Sequence, residues 1–89
     1  MRDSVFVLTG GFKPVRVNLQ RSGVLIERLQ KRGWVSETVI PKSDIRSIYQ
    51  MWDKVVLEAE TRTVSLLTGS SKTLTVYYAL REYMEGGIP

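Results

Sequence analysis

Cysteine and histidine are both absent from this chain, proline occurs three times, and the aromatic residues are two Phe, two Trp and four Tyr. Without cysteine no disulfide can staple the fold. Without either residue type, zinc and haem lose their commonest protein ligands, and no catalytic dyad or triad can use an imidazole base. No apolar run approaches the ~18–20 residues of a membrane span, and Met1-Arg2-Asp3-Ser4-Val5 carries no stretch resembling the core of a signal peptide. The expectation is an intracellular, cytoplasmic protein, not secreted and with no transmembrane segment. At 89 residues and 10.2 kDa the chain is read as one domain, 1–89, with residues 86–89 as a frayed end. A chain of this length buries only about 60–65% of its unfolded surface, so few apolar side chains are left over to line a deep pocket.

What is present is an uneven charge. The formal net charge is +4, yet residues 1–43 hold eight Lys/Arg against three acids, while residues 44–89 hold five against six. The excess is densest between Lys13 and Arg32, where Glu27 is the only acid among six bases. Such an asymmetry points to an anionic partner, or else to a solvated face of ordinary solubility.

Hydropathy alternates with a period of two along most of the chain. Ser4 to Thr9 is apolar and β-branched and stops at Gly10-Gly11. Val15, Val17 and Leu19 then alternate with Arg16, Asn18 and Gln20. Arg21-Ser22-Gly23 turns into Val24–Gln30, and Lys31-Arg32-Gly33 turns into Trp34–Ile40, which makes a meander of hairpins. Pro41-Lys42-Ser43 ends the fourth strand. Asp44–Met51 follows as a fifth strand, or as a short helical turn plus a strand. Lys54–Glu60 and Thr63–Thr68 form a last hairpin, with Val55, Leu57 and Ala59 facing Val64 and Leu66. After Gly69 the apolar spacing changes to three and four residues, which predicts a helix over about 72–85, capped by Ser70 or Ser71 and stopped at Gly86-Gly87. The β-prone run Thr73–Tyr78 keeps a further strand open as the alternative.

Seven strands and a C-terminal helix resemble the pleckstrin-homology superfold, and the local rhythm is similar to GRAM domains. The stretches that carry the likeness are Val39–Tyr49, with a proline-started strand and isoleucines at 45 and 48, then Lys54–Leu57, then Val64–Thr68. The resemblance implies a mainly β fold, a split barrel of seven strands in which a four-strand sheet packs on a three-strand sheet and the helix closes one open end. It also implies a test of ligand type. Family members that hold phosphoinositide headgroups use a lysine near the end of the first strand and a basic pair, one residue apart, on the second. Lys13 matches the first position, but Arg16-Val17-Asn18 lacks the pair, so a phosphoinositide headgroup is a doubtful ligand. A small barrel of the OB or Sm type is the competing fold, favoured if Thr73–Tyr78 is a strand.

Alternation assigns roles to single residues. With Val15, Val17 and Leu19 inward, Arg16 points outward. Arg21 lies at one end of the third strand and Lys31 and Arg32 at the other, roughly 25 Å apart at ~3.3 Å per residue. With Arg28, these bases suit an extended anion or an acidic protein face better than one phosphate group. Trp34, beside Arg32, could stack with a base. Val24 and Ile26 are the natural core pair, because burying Leu25 and Leu29 instead would bury Glu27 between them. Leu25 and Leu29 are thus expected in solvent as an apolar contact strip. On the fourth strand Trp34/Ile40 and Val35/Val39 take opposite faces, so one of these sets should lie outside the core. Tyr78 is expected on the exposed helix face, Phe6 and Phe12 in the core or packed at turns, and Trp52 as a lid over the core edge.

Catalysis finds little support. Gly69-Ser70-Ser71-Lys72-Thr73 has the wrong glycine spacing for a phosphate loop, with Leu66 and Ser71 where glycines are needed. Glu58 and Glu60 share a strand face with bases nearby, and Ser71 and Lys72 diverge at a helix start. The reading is therefore a non-enzymatic module, with no cofactor and no metal. It meets a protein partner or a second copy of itself through Leu25, Leu29, Tyr78 and the surrounding arginines. The alternative is a nucleic-acid-binding barrel contacting phosphates through the 13–32 segment. A third reading is contact with an anionic membrane surface.

Overall fold

Strand propensity and alternation are realised over most of the chain. The computed structural model describes residues 4–86, with strands β1 (Ser4–Leu8), β2 (Val15–Leu19), β3 (Gly23–Gln30), β4 (Gly33–Pro41), β5 (Ile45–Gln50), β6 (Lys54–Ala59) and β7 (Thr63–Leu67) and the helix α1 (Thr73–Met84). A single 3-10 turn, Lys42–Asp44, precedes β5, so the fifth element is a helical turn plus a strand. Every strand pair is antiparallel. The strands make a four-stranded sheet, β1-β2-β3-β4, and a three-stranded sheet, β5-β6-β7. No ladder joins the two sheets among the described residues, so the expected barrel is not closed. Thr73–Tyr78 is helical, which removes the alternative strand. Apart from Gly86, the expected frayed end lies outside the described residues.

The core is the space between the sheets. Leu8, Val17, Leu19, Val24, Ile26 and Ile40 come from the first sheet, and Ile45, Ile48, Val55, Leu57 and Leu66 from the second. Helix α1 adds Val76, Leu80 and Tyr83, whose i, i+4, i+7 spacing puts them on one stripe. Phe6 and Val15 pack partly against this cluster as expected. Phe12 and Trp52 do not pack: both stand in solvent, on the β1–β2 loop and the β5–β6 turn. No helix among the described residues is long and apolar enough to cross a membrane.

Two ends of α1 are tied down by different means. The expected serine cap is not formed, and Lys72 occupies the cap position without a side-chain bond. Instead the buried Thr68 and Thr73 hydroxyls lie 2.7 Å apart, among the carbonyls of Asp53, Trp52 and Gly69. Thr73 thereby ties the first turn of the helix to the β5–β6 turn through the Trp52 carbonyl. At the other end the Tyr83 hydroxyl donates to the Gln20 carbonyl, and the Lys42 ammonium sits 4.6 Å from the centre of the Tyr83 ring. The helix then stops at Gly86, whose φ of +81° suits glycine.

Two glycines permit close backbone approaches between elements. A Cβ on Gly10 would lie 2.4 Å from the Gly69 nitrogen, where the β1–β2 loop meets the β7–α1 loop. A Cβ on Gly23 would lie 2.3 Å from the Ile40 carbonyl oxygen, where β3 crosses the end of β4. Neither neighbour is a flexible side chain. Gly23→Ala should therefore cost about 2 kcal/mol or more and lower the melting temperature by about 8–16 °C. Thermal unfolding followed by circular dichroism checks this, and an unchanged melting temperature would refute the close approach.

Candidate interaction face on the four-stranded sheet

The face of the first sheet that points away from the core is organised in rows by its register. One row runs Val5, Asn18, Leu25, Val39 across the four strands, and the next runs Val7, Arg16, Glu27, Ser36. Leu29 and Trp34 are paired beyond them. Val39 is 60% exposed, Val5 51%, Val7 43% and Leu29 37%. Leu25, expected in solvent, is only half-buried rather than open, because Asn18 and Val39 flank it on either side.

A β-bulge decides which residues of β4 reach this face. Ile26 pairs with Thr38 while Glu27 pairs with Ser36, so Glu37 is the extra residue. The insertion reverses the alternation in mid-strand. Ile40 is buried while Trp34, six residues earlier, turns to the outer face, and Val39 is outside as well. As expected, one of the two sets, Val35/Val39, lies outside the core, while the bulge splits the other, Trp34/Ile40. Val35 and Val39 are both exposed.

Glu27 is the polar centre of the face. Arg16 donates to it twice, Nε to Oε1 at 2.7 Å and Nη2 to Oε2 at 3.1 Å, and Asn18 Nδ2 donates to Oε1 at 2.6 Å. The Glu27 side chain is 12% exposed. Arg16 also lies 4.7 Å from the centre of the Trp34 ring, held between a carboxylate and an aromatic face. The Arg16 hydrogen bonds hold the Glu27 carboxyl below its ordinary pKa, against the opposing effect of burial, with the Arg16 charge and Asn18 adding to the lowering. The Arg16 guanidinium is raised in turn by the same hydrogen bonds.

The other predicted bases are distributed differently. Arg28 is bound to Glu37, with Nε 3.1 and 3.0 Å from the two carboxylate oxygens. The bulge residue and the predicted phosphate contact thus satisfy each other. Arg21 sits exposed in the β2–β3 turn, and Lys31 and Arg32 are exposed in the β3–β4 turn at the other end of β3. Lys31 and Arg32 make no ion pair among the described residues. Tyr78 is 61% exposed on α1, edge-on to Tyr77, and α1 packs on the core side of the sheet. It is therefore not brought together with Leu25 and Leu29. The sequence marks Val39 only within one of two alternative outer sets, and Val5 and Val7 are not among the expected contact residues; strand alternation alone marks these two as opposite Phe6, but only the paired register places Val5 in the row of Leu25.

No group of three or more metal-ligating Asp or Glu side chains occurs among the described residues. A pocket of about 310 Å³ opens between the β1–β2 loop and β7, and its charged residues are Lys13 and the Arg28–Glu37 pair.

Because Glu27 has a lowered folded-state pKa, its pair stabilises the protein above the unfolded carboxylate pKa and ceases to do so as pH falls through the folded value. Glu27→Gln should accordingly melt below the natural protein at about pH 7, and the gap should narrow on acidification to about pH 3. Melting curves of both proteins across this range check the sign, and a gap that widens toward acid would contradict it. No protein-family model, curated protein or solved structure matches the chain.

Proposed function

We propose that this chain is a non-enzymatic binding module of pleckstrin-homology-like architecture that docks a protein partner on the outer face of β1-β2-β3-β4. The architecture is supported by the order of the elements: four meandering strands, three more, and a helix closing the space between two sheets. The OB or Sm alternative draws less support, since Thr73–Tyr78, which would favour it as a strand, is helical. The observation that carries the functional reading is the outer face itself. Val5, Val7, Leu29 and Val39 point to solvent around a carboxylate whose charge is already met by Arg16 and Asn18. A face that presents apolar side chains and no unmet central charge loses little on desolvation, which is what a protein contact requires.

The nucleic-acid reading draws less support from the same geometry. Of its five bases, Arg16 and Arg28 are already paired with Glu27 and Glu37, and a phosphate would have to displace a bidentate carboxylate to use them. One feature favours the membrane-surface reading, an exposed Phe12 next to Lys13 on the β1–β2 loop.

The readings separate in three measurements. Random single- and double-stranded oligonucleotides at about 50 mM salt should give no detectable binding, although counterion release favours it there. Vesicles of phosphatidylcholine with about 30% phosphatidylserine should not sediment the protein. Immobilised natural protein should retain from a lysate of the source cells at least one protein that Val39→Asp, with an unchanged melting temperature, fails to retain. Equal retention by both, or binding to oligonucleotides or vesicles, would count against the proposal.

A further inference from the structure

The hydrogen-bond phase of the first sheet can be followed to its edge. Gln20 and Gly23 exchange both backbone bonds across the β2–β3 turn, at 2.9 and 3.2 Å, and the Leu29 N–H donates to the Pro14 carbonyl at the far end. Bonded pairs alternate along an antiparallel ladder. Asn18 and Arg16 therefore turn their N–H and C=O groups toward β3, while Leu19, Val17 and Val15 turn theirs toward β1. Their partners in β1 are Ser4, Phe6 and Leu8. Val5 and Val7 are left with N–H and C=O groups pointing away from the sheet, and neither makes a backbone bond beyond it among the described residues.

Sheet edges are usually guarded by charge, proline or a bulge. The β4 edge has the Glu37 bulge and ends in Pro41, and β5 has a bulge of its own at Arg46. β7 has no charge, proline or bulge, but its exposed side chains include the polar Thr63 and Ser65. Ser-Val-Phe-Val-Leu in β1 has none of these guards. A groove of about 340 Å³ beside it is lined by residues of β1, by Lys72 and by Thr75 and Val76 of α1.

From this geometry we infer that the β1 edge pairs with β1 of a second copy of the chain, antiparallel and about a twofold axis through Phe6. The two outward-facing residues flank Phe6 symmetrically. The twofold axis sets Val5 opposite Val7 of the second copy and Val7 opposite its Val5, and each opposed pair exchanges two bonds, four in all. The result is one eight-stranded sheet. The charges permit it: β1 carries none, and Arg16, across from Val7, is bound to Glu27. Lys72 adjoins the C-terminal end of β1, since the β7–α1 loop meets the β1–β2 loop at Gly10 and Gly69. Antiparallel pairing places the two Lys72 residues near opposite ends of the paired strands, about 17 Å apart, which exceeds the ~8 Å screening length at physiological salt. Two five-residue strands bury less than the ~1,200–2,000 Å² of a stable interface, so the dimer is concentration-dependent rather than permanent. The inference concerns the backbone of β1 and stands apart from the outer-face proposal.

Sedimentation equilibrium of the full chain from about 10 µM to about 1 mM should show a monomer passing into a dimer. Val7→Pro tests the mode. Its missing N–H is one that β2 does not use, and proline is tolerated where a strand N–H faces outward. It removes two of the four bonds and should weaken the dimer by about 30-fold, whereas Val39→Asp, on the outer face, should leave it unchanged. Amide hydrogen exchange of the natural protein decides the matter even if Val7→Pro fails to fold. The Val5 and Val7 amides should exchange rapidly in the dilute monomer, unlike Phe6 and Leu8, and become protected at the higher concentration. A monomer at every concentration, a dimer indifferent to Val7→Pro, or Val5 and Val7 amides protected in the dilute monomer would each overturn the inference.

Discussion

The seating of α1 between two sheets that share no ladder is the contact on which the rest of this structure depends. Val76, Leu80 and Tyr83 each touch a core drawn from both sheets, and the helix is anchored at one end by the Thr68–Thr73 hydroxyls and at the other by the Tyr83–Gln20 bond. In an 89-residue chain the core is one layer deep, and removing one wall of it would expose the remainder. The glycines at 10 and 23 serve the same end, letting loops and strands from different elements approach closely enough to leave no gap around that layer.

With the inner faces committed to the core, the outer face of the four-stranded sheet has freedom to do something else. Its composition reflects two opposing demands. Glu27 must be neutralised, because it sits among apolar side chains at 12% exposure, and Arg16 and Asn18 meet that need. The valines and Leu29 are under no such demand and remain in solvent. The same arginine that gives the sequence its basic look is held in an internal pair with Glu27. Charge counted along a chain overstates the charge a surface presents whenever cross-strand partners are acids far away in sequence.

The strands and their order were legible because a period of two, interrupted by Gly, Pro and Arg-Ser-Gly or Lys-Arg-Gly turns, is a local signal. Val17, Leu19, Val24 and Ile26 were assigned to the core from it, and all four are buried. The helix is legible from the spacing of Val76, Leu80 and Tyr83, but the serine cap expected at its start is not formed, and Lys72 stands at the cap position. Trp52 and Phe12 were assigned to packing on residue type alone, and their loops carry them into solvent. The site was only half legible. Alternation gives the exposure of Leu29, but Leu25 is half-buried, and Tyr78 is exposed on α1, away from both.

Alternation along single strands, set by the two-residue repeat of backbone geometry, determined from sequence alone which side chains of β2 and β3 face inward and that Arg16 faces out. Tertiary structure alone decided what Arg16 does there. Its partners, Glu27 eleven residues away and Trp34 eighteen away, come within reach only through the β2–β3 register and the bulge at Glu37. Register is a property of paired strands, and a one-residue insertion changes the face of every side chain beyond it. For the same reason the free N–H and C=O groups of Val5 and Val7 were invisible in the sequence: which backbone groups an edge leaves unpaired depends on the hydrogen-bond phase of the strand beside it.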